Sequence, residues 1–412
     1  MGIYLSERLT VEGLINHRRE EKIMLTGLAL LFLVGMFLGG ISKKLRLPSL
    51  IGLIAAGMLL GPNGWNLLDD KILMISDDLR KLALVIILTR AGLSLKLEDL
   101  RKVGRPAFLM CFVPAMLEII GVICIAPSLF SISVVEAAML GAVIAAVSPA
   151  VIVPRMLTLI EEGYGKEKSI PALILAGASV DDVFVLVIFT ACTGLLQGGA
   201  VSATSFLEIP ISIVLGVFVG IVVGLLILAF FKKFPMNGSG KVVLLLSISF
   251  LLLELETRSL VPVSGLLAIM TVGIVMNTKD KALASQMSGK YNGLWVAAEV
   301  ILFVLVGVKV NISYAMAVGV TALIVVVVAL VFRMVGVAIS LLGTNLNKKE
   351  RLFCMLAYTP KATVQAAIGG LPLSMGLPCG ELVLMVAVIS ILITAPFGAI
   401  MVDSTYKRLL KK

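Results

Sequence analysis

A helix needs about 20 mostly apolar residues to cross a bilayer. A scan at that length finds thirteen candidate spans, near 24–42, 49–62, 80–95, 106–126, 134–156, 171–196, 207–231, 241–256, 262–277, 293–309, 314–342, 352–371 and 381–402. Hydrophobic residues make up 59% of the 412, and charged residues only 15%, against about 25% in a soluble domain. The pattern excludes a soluble enzyme, a disordered chain and a nucleic-acid module. It predicts an all-α multi-spanning membrane protein whose surroundings are lipid. The net charge of +10 then reads as a topology signal. The five cysteines read as packing thiols, with no disulfide framework.

Thirteen spans put the termini on opposite sides. With the N-terminus outside and the C-terminus in the cytoplasm, the cytoplasmic segments collect 23 Lys and Arg, against 8 in the outer loops and N-terminal segment. That asymmetry supports N-out, C-in. The expected location is the plasma (inner) membrane of a prokaryote. Residues 1–23 form a short charged segment, read as an interfacial helix. Trp65 and Trp295 are read as interfacial aromatics. Four basic residues, Arg90, Lys309, Arg333 and Lys361, fall inside or at the edge of spans. Intramembrane charge costs at least ~2.5–3.5 kcal/mol per residue, so each needs a partner or a wet cavity.

Two spans carry prolines mid-membrane. The fifth contains Ser148-Pro149 and Pro154, and the twelfth contains Thr359-Pro360-Lys361. Proline removes a backbone hydrogen bond and breaks a helix. At membrane depth such breaks survive only when buried in protein or lining an aqueous cavity. Pro149 and Pro360 are 211 residues apart, and Glu118 and Arg333 are 215 apart. The spans they occupy run in opposite directions. An inverted repeat follows, with two broken helices crossing near the midplane and the substrate site where they meet. Thr359 and Pro360 are read as the cap and first residue of the second half-helix.

The sixth span carries Asp181-Asp182, about ten residues into an apolar run. Adjacent helical side chains diverge by about 100°, so both reach one cavity only if the helix borders it broadly. Carboxylates suit small hard cations. They also bind protons, and burial beside a second carboxylate raises the affinity for them. A site that takes a cation or a proton, but not both, exchanges them when opened to each side in turn. Ser148, Ser179, Thr363 and carbonyls at the breaks are candidates to complete the oxygen shell. Glu118 and Arg333 form an expected ion pair tying the halves together, with Arg333–Asp181 as the competing pairing. Lys361 is read as charge balance in the core.

Asp181-Asp182, Phe332-Arg333-Met334-Val335-Gly336-Val337 and Pro360-Lys361-Ala362-Thr363-Val364-Gln365-Ala366-Ala367-Ile368-Gly369 together resemble the sodium/proton antiporters of the cation:proton antiporter superfamily, in particular its NHA branch. The resemblance covers about 24–402. It implies a homodimer that works as an elevator. A dimer or scaffold domain would comprise 24–97 and 241–312, a core ion-transport domain 104–196 and 314–402, a linker helix 207–231 and a basic cytoplasmic tail 403–412. It also implies cation and proton binding at Asp182 with Asp181 beside it, and a part in activity for Lys361. The expected substrates are Na⁺ or Li⁺, and H⁺; no cofactor is expected.

Two departures from the superfamily patterns stand out. Electrogenic members typically have a lysine where Arg333 falls. Electroneutral members typically have Asn-Asp with a Glu four residues earlier, where this chain has Asp181-Asp182 and Gly177. The mixture leaves stoichiometry open, with one cation per proton preferred. The competing functions are a sodium-coupled organic-solute symporter, for which few solute-binding polar groups are present, and an intramembrane aspartyl protease, which adjacent acids on one helix do not suit. A channel is a further alternative, but alternate gating with proton competition explains the carboxylates better.

Overall fold

A computed structural model describes residues 24–45, 47–95, 104–197, 203–258 and 263–412. The readings of the N-terminal segment and of the loop holding Lys96, Arg101 and Lys102 lie outside the described residues, as does the side chain of Ser179. The described chain is helical throughout, with no strand. In order the helices are α1 (Met24–Lys44), α2 (Ser49–Leu60), α3 (Asp70–Ser94), α4 (Arg105–Met110), α5 (Val113–Phe130), α6 (Val134–Ala145), α7 (Pro149–Glu162), α8 (Ile170–Gln197) and α9 (Ala203–Lys233). They continue as α10 (Gly238–Arg258), α11 (Gly265–Lys279), α12 (Lys281–Val308), α13 (Ile312–Ser340), α14 (Lys348–Ala357), α15 (Thr363–Ile368), α16 (Leu371–Ser374) and α17 (Gly380–Leu409).

Among the described residues, nine helices or joined helix pairs are long and apolar enough to cross a membrane. The α2 and α11 helices are apolar but short. The remaining expected spans are α3, whose first turns are charged, and the divided segment α14–α16. The expectation of thirteen crossings therefore depends on counting these four shorter, charged or divided segments. Large apolar side chains point outward along the bundle, among them Leu25, Phe37, Met316 and Val320. In water that surface would be a liability; in lipid it is the expected finish.

Helix ends are set by local chemistry. Ser133 and Glu136 close a capping box at the start of α6, and Asn347 and Glu350 do the same at α14. Asn311 caps α13 and Asp280 caps α12. Close approach between helices is set by missing side chains: a β-carbon on Gly57 of α2 would run into the Val304 carbonyl of α12, and one on Gly307 into that of Ile54.

The packing falls into two groups. One is α1 on α2, α2 and α3 on α12, and α3 and α9 on α11. The other is α5 against α13 and α6, α8 against α6, α7 and α4, and α17 against α13, α14 and α16. The short α15 touches α3 and α12 as well as α6 and α17, so it stands where the groups meet.

Three sequence readings need correction. Pro154 does not break the chain: α7 starts at Pro149 and runs on through Pro154 to Glu162. The break lies just before, at 146–148, because Pro149 is pre-set for a first helical turn and has no N–H to lose there. The third span does not start at 80: α3 begins at Asp70, and Arg80 sits inside it, 5% exposed and paired with Asp77. The charged first turns hid the start of that helix, which Asp69 caps. Trp295 is not interfacial, since it is buried in mid-α12, whereas Trp65 is exposed. The apolar scan began that span at 293, but α12 starts at Lys281, because helix continues through polar residues that the scan excludes.

Candidate functional site at the crossing of two broken helices

The two breaks touch. The Ser148 amide, between α6 and α7, donates to the Pro360 carbonyl, between α14 and α15, at 2.8 Å. Each break leaves unpaired carbonyls on its upstream half-helix and unpaired amides downstream. Side chains from other helices reach them.

The carbonyl ends take cations, as the helix dipole favours. Arg333 of α13 is fully buried. Its Nε donates to the Tyr358 carbonyl at the end of α14 at 2.6 Å, and its Nη1 donates to the Ala145 carbonyl at the end of α6. Lys361 Nζ reaches the same Ala145 carbonyl at 3.0 Å. Gln365 Nε2 donates to the Ala146 carbonyl at 2.8 Å and the Ile144 carbonyl at 3.3 Å. The amide ends take oxygens. Asp181 Oδ2 accepts from the Val147 amide at 2.8 Å, Gln365 Oε1 from the Ala362 amide at 2.8 Å, and Thr394 Oγ1 from the Lys361 amide at 2.9 Å.

The same two cations hold two acids. Arg333 Nη1 lies 2.8 Å from Glu118 Oε2, and Nη2 lies 2.7 Å from Asp181 Oδ2. Lys361 Nζ is 2.6 Å from Glu118 Oε2. The two pairings weighed for Arg333 are therefore not alternatives, because one guanidinium makes both. Arginine suits this bridging role in a dry site because it stays charged and offers several donors in a fixed fork. Two carboxylates face two cations, and the charge closes.

Asp182 stands outside that balance. It is 7% exposed, its Oδ1 has no hydrogen-bond partner in the protein, and among the described residues no basic side chain forms an ion pair with it. Spacing alone leaves the acids equal, and only the family resemblance put ion binding on Asp182; their one-residue offset on α8 separates them. Ser148 and Thr363 are buried at the starts of α7 and α15, and Ser148 Oγ also lacks a partner. Thr359 does not cap a helix. Its hydroxyl donates back to the Leu356 carbonyl at 2.8 Å, and α15 begins only at Thr363. The chain stays non-helical through Lys361 because the Pro360 carbonyl is taken by Ser148 and the next amides by Thr394 and Gln365.

Sequence reasoning gave no role to Gln365, Thr394 or Tyr358. A glutamine in so apolar a segment was the available signal for the first. Further from the site, Lys168 Nζ meets Glu350 Oε2 at 2.8 Å. Burial pushes the Glu350 carboxyl up, but bonds from Lys168 and the Asn347 amide outweigh it and hold the group below its ordinary range.

A model of the family described as "Sodium/hydrogen exchanger, transmembrane" matches residues 28–407. The chain belongs to that family. The exchanger is 32% identical over 386 residues to human sodium/hydrogen exchanger 9B2, covering 89% of this chain and 70% of that one. It is 33% identical to the Xenopus tropicalis protein of that name, covering 93% and 74%, and 29% identical to human sodium/hydrogen exchanger 9B1, covering 94% and 79%. Its fold matches that of the sodium proton antiporter MjNhaP1 from Methanocaldococcus jannaschii at pH 8, with a TM-score of 0.82 at 18% identity, covering 95% of this chain and all of that one. The exchanger is thus an integral membrane protein of the cation:proton antiporter superfamily. The matched exchangers named above are animal proteins, and they do not single out a prokaryotic membrane.

Proposed function

We propose that this exchanger is a secondary antiporter that moves Na⁺ or Li⁺ against H⁺, with Asp182 as the group that carries one or the other. The observation that carries the reading is the unbalanced acid. Glu118 and Asp181 are matched by Arg333 and Lys361, while Asp182 is buried with an unpartnered oxygen. An acid in so dry a place is costly as a bare anion and is neutralised by a proton or a small hard cation. Asp181 is the fixed member. Its Arg333 partner does not deprotonate, so the pair stays charged and shapes the field in which Asp182 binds. Ser148, Thr363 and break carbonyls supply further oxygens around the cation.

One carboxylate that holds one Na⁺ or one H⁺ has the same charge in both loaded forms. The reading is therefore one-for-one, electroneutral exchange. Movement is by elevator. The α4–α8 and α13–α17 group, within 104–196 and 314–402, carries the site past the scaffold of 24–97 and 241–312, with α9 as linker and a homodimer formed through the scaffold. The basic-residue asymmetry supports thirteen crossings with the N-terminus outside and the C-terminus in the cytoplasm.

The test is transport in proteoliposomes under an imposed sodium gradient, followed with an internal pH dye. Proton movement driven by sodium, and abolished in Asp182→Ala, is the expected outcome. Sodium entry coupled to an organic solute without proton counterflow would replace this reading with a symporter.

A further inference from the structure

Tyr358 is fully buried beside the crossing, and the exchange scheme above gives it no task. Its carbonyl accepts from Arg333 Nε, and its ring lies 5.3 Å from the guanidinium carbon. Its hydroxyl, in contrast, has no hydrogen-bond partner in the protein. That hydroxyl rests on Gly177: a β-carbon at 177 would occupy the same space. Gly177 precedes Asp181 by four residues on α8, so the two share a face about one turn apart, about 6 Å along the axis. Asp181 Oδ2 is taken by Arg333 and the Val147 amide, while Oδ1 is buried with no partner. The nearby Cys111 thiol donates to the Ala107 carbonyl at 3.1 Å and leaves the hydroxyl unserved.

A buried donor and a buried acceptor, each unpaired, are a poor arrangement when the site is dry. Buried polar atoms left unpaired by the protein are where internal waters bind. We propose that Tyr358 is a positioning residue for Asp181, its hydroxyl and Asp181 Oδ1 sharing one water that holds the carboxylate in place while the neighbouring Asp182 is loaded. Gly177 is what makes room for this, since any side chain there pushes the phenol away. The inference rests on the reading of Asp182 as the carrier. Its effect is on substrate affinity, because a loosely held Asp181 changes the field at Asp182 without altering the elements that move.

Tyr358→Phe removes one oxygen and keeps the ring beneath Arg333 and the main-chain acceptor. It is expected to raise the KM for sodium by roughly 3–10-fold, the worth of one hydrogen bond, with kcat within about twofold. A wild-type KM in Tyr358→Phe overturns the proposal. Should Tyr358→Phe not yield folded protein, Tyr358→Gln and Tyr358→Leu, which place a polar and an apolar group in the same space, decide the question: a lower KM for the glutamine variant supports the proposal and equal values end it. Gly177 variants are less specific, because a β-carbon there also meets Met110 Cβ at 2.9 Å. Asp182→Ala separates the two levels. If it abolishes exchange while Tyr358→Phe behaves as wild type, only the tyrosine's role fails; if exchange survives in it, the carrier reading itself fails.

Discussion

Arg333 Nη2 lies 2.7 Å from Asp181 Oδ2, and that one bond makes the two neighbouring aspartates unequal. The same guanidinium holds Glu118 and the carbonyl ends of α6 and α14. It ties together four segments that are far apart in sequence.

Arg333→Ala should therefore be among the most damaging single changes. It leaves Asp181 buried without its cation, which costs about 3–5 kcal/mol. A large fall in the thermal unfolding midpoint in detergent is the expected result. The exchanged pair Glu118→Arg, Arg333→Glu should not recover it, because a carboxylate at 333 would face Asp181 and two carbonyls. Recovery in the double variant would show that Glu118 is the only partner of consequence.

Gln365 stitches the breaks by donating to the Ala146 carbonyl and accepting from the Ala362 amide. Gln365→Leu keeps much of the volume and orphans both groups, at about 1–3 kcal/mol each. Calorimetry of the purified variant should show a drop of that size, and an unchanged midpoint would mean the breaks are held by other means.

Acid should loosen the contact between the α7–α8 loop and α14. Glu350 has a carboxyl held below its ordinary value of 4.5, with Lys168 as partner. The sign follows from linkage. A depressed acid contributes its stabilisation above the unfolded value and loses it as pH falls through the folded one. The difference in thermal midpoint between wild type and Glu350→Gln should be present at about pH 7 and shrink below about pH 4. A difference that does not change with pH would remove the ionised carboxylate from the explanation.

One-for-one exchange should ignore voltage. Initial rates in proteoliposomes clamped at zero and at about 100 mV should agree, although moving one net charge across that potential is worth about 2.3 kcal/mol. A clear dependence on voltage would mean that a second acid, Asp181 being the first choice, also releases a proton.

Much of this was legible in the residues. Prolines 149 and 360 announced the breaks, and the offset between Glu118 and Arg333 announced their pairing, because charge and proline are expensive in lipid and persist for a reason. The inequality of the two aspartates was legible only through the family resemblance, which singled out Asp182; spacing alone did not show it. It depends on which way each side chain leaves α8 and on where Arg333, 152 residues away, arrives. The start of the third span and the setting of Trp295 were misread because hydropathy marks the apolar middle of a helix, whereas helices such as α3 and α12 extend beyond it on capping and propensity. Gln365 and Tyr358 stood in plain view, but their roles lie in carbonyls and unpaired polar atoms supplied by other segments.

The central claim is that a single carboxylate, Asp182, is held in turn by sodium and by a proton. Sodium added to purified exchanger in weakly buffered solution, near the pH where the group is half-protonated, should release protons, at most about half a proton per protomer. Asp182→Asn should release none while remaining folded. Sodium binding with no proton release in the wild type, or undiminished release in Asp182→Asn, would contradict the account.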